Sequence, residues 1–311
     1  MSAATHPRGP SRRGPSNRAL VFIGLGLWIA LIVATLIIFG TQGRNDTYKP
    51  QAEFELTPWI NLPGPFDINK GVFYVFIASA LTCGAMIYIA RRMQQRPNRV
   101  QTAVEALYGL MRDNIVRGNM QDRSLARKWF PFIATLFLFI WFSNLIGYLP
   151  LPTNTSEKID ILGVQVPAFA LYAATANLSV PLVLAAIVWF SYNIEGIRAK
   201  GFRNYLKALV PPGVPKALRP FIFVLEVASQ FMRLISLSVR LFANILAGHL
   251  IILFMAGALV VILGISAVGI VTLPIGIAIY AFEVVLVATL QAFIFATLTA
   301  IYLGEATSEH H

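Results

Sequence analysis

Six polar residues, Glu226, Ser229, Arg233, Ser236, Arg240 and Asn244, stand at steps of three or four in an otherwise apolar stretch. Steps of that size keep side chains on one face of a helix. His249 follows the stripe, and a second apolar stretch, AIYAFEVVLVATLQAF, carries Glu283 and Gln291. A carboxylate and an imidazole both exchange protons near neutral pH, above all where burial shifts them. Arg240 cannot shed its charge at any accessible pH. A guanidinium mid-membrane costs roughly 3 kcal/mol on insertion scales, and no acid stands near Arg240 in sequence. A fixed cation among proton-exchanging groups is the equipment of an ion path.

Each residue also has a plainer reading. Ser229, Ser236 and Asn244 can serve as hydrogen-bonding glue between helices. Glu226 and Arg233 lie nearer a helix end and can reach water by snorkelling. His249 can be a satisfied core histidine, and Glu283 can be ion-paired to one of the arginines. None of these readings removes the need for Arg240 to face a hydrated cavity or another ionisable group.

The elements that position these residues follow from composition. Of 311 residues 57% are hydrophobic and 13% charged, and the mean hydropathy is +0.67. Several apolar runs reach the ~20 residues that span a bilayer as helix, without the alternation of a barrel strand. The expected fold class is an all-α polytopic membrane protein. Spans are predicted at 20–39, 71–90, 129–149 and 168–192. Residues 221–304 supply either four perpendicular helices or two long tilted ones, with Gly264, Gly269 and Pro274 as the natural break. The first run exceeds a usual signal-peptide core and has no A-x-A-like site after it, so it reads as a retained helix.

The net charge of +11 invites a nucleic-acid reading, but the bases flank apolar runs, where they set orientation. By the positive-inside rule the amino terminus, 91–128 and 195–220 face the cytoplasm, and 40–70 and 151–167 face outward. Residues 1–18 read as a basic disordered tail. In the second cytoplasmic segment Val100, Ala103, Val104, Leu107, Met111 and Ile115 recur at helical spacing, as in an amphipathic helix lying on the membrane or against a partner.

Other chemistries lack their parts. One cysteine, Cys83, and four histidines, two of them the terminal His310 and His311, leave no metal site, and no cofactor is expected. There is no GxxxxGK[ST] loop, no HExxH, no nucleophile–base pair and no soluble segment long enough for a catalytic domain. The chain is not expected to be an enzyme by itself. A secondary transporter should show repeated halves with interrupted helices, and no such repeat is visible.

At SLSVRLFANILAGHL (236–250) and LQAFIFATLTAIYL (290–303), supported by SNLIGYLP (143–150) and GFRNYLKAL (201–209), the chain resembles subunit a of the F-type ATP synthase. The resemblance covers about 70–304. It implies a membrane domain over 71–304, preceded by an extra transmembrane helix and outer loop over 19–70 and followed by a short tail over 305–311. It further implies two long tilted helices within 221–304 facing a ring of c subunits, with subunit b of the peripheral stalk and the other synthase subunits as partners. The arginine matching Arg240 would draw a proton off each ring carboxylate and block direct passage between two offset half-channels. A permanent cation suits that post. Ser236, Asn244 and Glu226 match channel-lining positions, the last near the cytoplasmic exit. His249 and Glu283 match the outer half-channel in the His-then-Glu order of the mitochondrial proteins. Gln291 matches a glutamine close to the key arginine. Localisation is expected in a bacterial inner (plasma) membrane, with the mitochondrial inner membrane as the alternative.

Three positions depart from the family pattern. Glu283 stands eight residues before Gln291 where seven is common, a difference of about 100° on a regular helix, so its role requires a bulge that restores the register. Asn177 stands where the family often has Asp. Leu234 replaces a frequent Pro.

Overall fold

A computed structural model of the chain describes residues 17–39, 58–60, 68–92, 99–120, 122–149, 158–161, 164–167, 173–211, 213–255 and 259–308. The basic tail, apart from its last two residues, lies outside them, as do His310 and His311. The helices are α1 (Asn17–Phe39), α2 (Lys70–Arg92), α3 (Arg99–Gly109), α4 (Arg123–Gly147), α5 (Ser179–Lys200), α6 (Phe202–Ala208), α7 (Arg219–Leu253), α8 (Leu259–Leu263), α9 (Ser266–Phe282) and α10 (Ala288–Thr307). Among the described residues six helical stretches are long and apolar enough to cross a membrane. The all-α polytopic expectation holds, with two short antiparallel hairpins added, β1 (Pro58–Ile60) with β2 (Ile68–Asn69) and β3 (Lys158–Ile161) with β4 (Val164–Pro167).

The chain divides into two compact units. One contains α1, α8 and α9 as far as Ile277. Gly264, at φ 68°, makes the turn between α8 and α9, a backbone state that a β-carbon resists. Gly269 and Pro274, expected at the break, instead lie inside α9.

The second unit runs from Lys49 to Ile252 and from Ala278 onward. Its centre is α10, whose Ala288, Ala292, Ala296 and Ala300 are all fully buried at four-residue spacing. Such a ladder of small side chains brings helix axes close where lipid supplies no hydrophobic drive. Against α10 pack α4 and α5, whose buried residues include Ile133, Phe137, Ile140 and Asn144 on the first and Ala185, Val188 and Tyr192 on the second.

Several boundaries differ from expectation. The third span starts at Arg123, because Asp122 caps it and accepts from the Ser124 N–H and Oγ–H, both at 2.8 Å. Those bonds hold the Asp122 carboxyl below its usual pKa. The cap therefore contributes above the ordinary carboxylate range and is lost as pH falls through the lowered folded value. The fourth span is Ser179–Lys200, about ten residues later than 168–192. Hydropathy counts Ala173–Ala176 as span, but Ala174–Ala176 forms a buried 3₁₀ turn, and α5 opens with Pro181 in its first turn, where a missing N–H is tolerated. At its other end α5 continues past Tyr192, because buried Glu195 pairs with Lys128 at 2.5 Å. Among the described residues of 219–307 two helical stretches are long enough to span, Arg219–Leu253 and Ala267–Thr307, not four. The tail expected from 305 is still α10 as far as Thr307.

The amphipathic stretch also differs. Beyond Gly109 it continues as a π-helix, Leu110–Arg117, whose Met111, Ile115 and Val116 are buried in the core. Ala103 is exposed. The far end of this element is part of the bundle, not a surface strap.

Candidate functional site

The helix α7 carries two faces. Leu237, Ser238, Leu241, Ile245 and Gly248 are buried. Ser236, Arg240 and Asn244, with Ala243 and Ala247 beside them, are exposed. The expected polar line therefore exists, and its deepest part points out of the chain. Arg240 makes no hydrogen bond or ion pair with any of the described residues. The plainer reading, an internal carboxylate partner for the arginine, is not realised among the described residues.

Toward the start of α7 the line turns inward. Glu226, Gln230 and Arg233 border a cavity of about 500 Å³ together with Tyr192, Tyr205 and Glu305. The Arg233 Nη1 lies 3.0 Å from the Glu305 Oε2, and its guanidinium sits 5.1 Å from the Tyr302 ring centre. The Tyr192 hydroxyl donates to the Gln230 Oε1 at 2.6 Å. Burial raises the Tyr205 hydroxyl pKa, partly offset by the nearby Arg233 charge. Arg233 is thus a tie between α7 and the end of α10, and not only a snorkelling side chain. Both partners are substantially exposed, so the pair is worth ~0–1 kcal/mol. Arg233→Ala and Glu305→Gln should give the same small loss of melting temperature. Thermal melts of the two variants test this; a large loss in only one of them would show that the pair is not what ties the two helices.

Toward the other end of α7 lies a second cluster. The Tyr148 hydroxyl donates to the Glu283 Oε2 at 3.0 Å. The Tyr148 ring stacks on the His249 imidazole, with centres 4.6 Å apart and planes at 24°. The two imidazole nitrogens face backbone carbonyls, Nδ1 that of Ile245 at 2.8 Å and Nε2 that of Gly147 at 3.0 Å. The Tyr280 hydroxyl donates to the Tyr148 carbonyl at 2.5 Å. Gly248 leaves the room: a β-carbon there would stand 2.5 Å from the Glu283 Oε2 and 2.9 Å from the Tyr148 hydroxyl.

The spacing departure has a structural resolution. Glu283–Val287 is a π-helical turn, in which the Ala288 N–H donates to the Glu283 carbonyl. A π-turn inserts one residue without ending the helix. Glu283 and Gln291 are accordingly both buried, at 9% and 6% exposure. Just beyond the turn the Asn144 Nδ2 donates to the Ala288 carbonyl at 3.3 Å, while its Oδ1 accepts from the Thr175 hydroxyl at 2.7 Å.

Asn177 bonds locally, its Oδ1 accepting from the Ser179 N–H at 3.0 Å at the start of α5. Sequence reasoning missed Tyr148, Asn144 and Glu305 as members of these clusters. The first two stand inside SNLIGYLP, where a polar residue in an apolar run was the available signal. Glu305 carried none, since it lies after the last span.

Residues 72–304 match the family described as the ATP synthase A chain. Among curated proteins, the ATP synthase subunit a of Rubrobacter xylanophilus is 34% identical over 76% of this chain and 83% of its own length. That of Maricaulis maris is 35% identical, over 77% and 88%. That of a Methylobacterium species is 32% identical, over 84% and 98%.

Proposed function

Because the chain belongs to the ATP synthase A chain family, we propose that it is the proton-translocating stator subunit of an F-type ATP synthase, coupling proton flow to rotation of a c-ring. One observation carries the reading: a guanidinium exposed on an apolar helix face without an acid of its own among the described residues. Exposed to lipid alone, that charge would be costly. Facing a rotor carboxylate, it stabilises the ionised form, and it has no deprotonated state through which protons could leak. Ser236, Ala243, Asn244 and Ala247 are small neighbours that let a second helix approach closely.

Two half-channels meet this charge from opposite sides. Glu226 and the cavity around it form the cytoplasmic exit, on the side that positive-inside bias assigns to 195–220. His249 and Glu283 form the outer entrance, with Gln291 and Asn177 along the polar route. Arg233 has a secondary, tying role. The chain performs no covalent chemistry of its own; nucleotide chemistry belongs to partner subunits.

The partners are the c-ring, subunit b of the peripheral stalk and the remaining synthase subunits, within membrane lipid. The relatives named above being bacterial, the location is a bacterial inner membrane. The helix α1 precedes the family region, which starts at 72, and is an added span.

Purification in mild detergent tests this reading. The chain should arrive with a c-ring, a stalk and ATPase subunits; recovery as a stable, ring-free protein would overturn it.

A further inference from the structure

We propose that Tyr148 is a proton-path residue of the outer half-channel, the direct hydrogen-bonding partner of Glu283, and that His249 acts through it as a positioning residue. The proposal rests on the half-channel reading above and deepens it.

The geometry separates the two roles. Glu283 meets the Tyr148 hydroxyl at 3.0 Å, and no ion pair joins it to His249 among the described residues. Both imidazole nitrogens are directed at backbone carbonyls, those of Ile245 and Gly147. A neutral imidazole donates to one of them, an imidazolium to both; in neither state is a nitrogen turned to the carboxylate. What His249 does touch is Tyr148, by stacking on its ring and by holding the carbonyl of the preceding residue. Tyr280 holds the carbonyl of Tyr148 itself. The phenol is thereby fixed at its ring face and at the backbone on both sides, with its hydroxyl against the carboxylate. Tyr148 is 3% exposed.

A phenol in that position passes a proton without ionising. Its O–H bond breaks toward the Glu283 carboxylate as a new O–H bond forms from a hydronium ion of the outer aqueous access. The hydronium becomes water, the carboxylate becomes a neutral acid, and the tyrosine is unchanged. Among the described residues the titratable groups facing Tyr148 are Glu283, His249 on α7 and Tyr280 on α9.

Tyr148→Phe keeps the ring and its stack and removes only the hydroxyl. In assembled complexes it should slow ATP-driven acidification of inverted vesicles by about tenfold, below the usual range for a positioned proton-transfer group because water can enter the vacated space. Its pH profile should shift as well. His249→Phe, which keeps a ring to stack but no longer holds the Gly147 carbonyl, should slow flux less than Tyr148→Phe does and leave the pH profile in place. Fluorotyrosine at 148, of nearly equal volume but with a more acidic phenol, should move the profile without disturbing assembly, so the proposal stays testable if Tyr148→Phe fails to assemble. Wild-type flux and profile in either Tyr148 variant, or abolition by His249→Phe, would overturn it. Arg240→Ala in the same membranes separates the failures. If it is inactive while Tyr148→Phe is normal, only the tyrosine assignment falls; if it still pumps, the stator reading falls first.

Discussion

Arg240→Ala should abolish ATP-driven proton pumping and ATP synthesis while the complex still assembles. Assembly survives because Arg240 is exposed on α7 and holds no described residue by hydrogen bond or ion pair. Its removal leaves no internal charge unpaired, the usual source of a large folding penalty, and even relieves a desolvation cost of roughly 3 kcal/mol. Function fails because the proposed rotor carboxylate would lose the cation that favours its ionised form, an electrostatic contribution worth on the order of 10² or more in rate. Arg240→Lys should not restore coupling: an ammonium lacks the planar fork of donors, and its pKa falls on burial. ATP-driven acidification of inverted vesicles, beside an assay of c-ring co-purification, measures both halves. A coupled Arg240→Ala enzyme would refute the assignment.

Glu283→Gln should reduce proton flux by about 10²-fold, the low end for loss of a positioned proton-transfer group. The amide keeps the volume beside Gly248 and can still accept from the Tyr148 hydroxyl, so the fold should persist and only proton exchange is lost. This effect depends on the π-turn at Glu283–Val287. On an unbroken α-helix the eight-residue interval to Gln291 would turn the carboxylate about 100° from the family register. Deleting Val285, an exposed residue within the turn, should therefore convert it to plain α-helix with seven-residue spacing and keep much of the flux. Unchanged flux in Glu283→Gln would remove the residue from the path. A deletion as inactive as the substitution would show that the widened turn is needed for more than register.

Residues 236–250 show how much of the site is legible without a fold. The 3.6-residue period is a local property, so the common face of Ser236, Arg240 and Asn244 follows from spacing alone, and in the structure all three are exposed together on α7. The same holds for the apolar runs, whose length sets the number of crossings wherever charged loops separate them. Where no charge intervenes, as between Arg240 and Glu283, hydropathy cannot distinguish two long helices from four. Packing decided for Arg219–Leu253 and a second stretch from Ala267 to Thr307.

What belongs to the sequence by itself is the membrane class, the polar stripe and the cost of its arginine, because each depends on composition or on neighbours one or two turns away. Tertiary structure alone decided that Tyr148 meets Glu283 across 135 positions, that Arg233 meets Glu305 across 72, and that His249 faces carbonyls and not a carboxylate. Such encounters depend on which helices pack and in what rotation. That is a property of the whole bundle, in which a single π-turn can return a carboxylate to the interior.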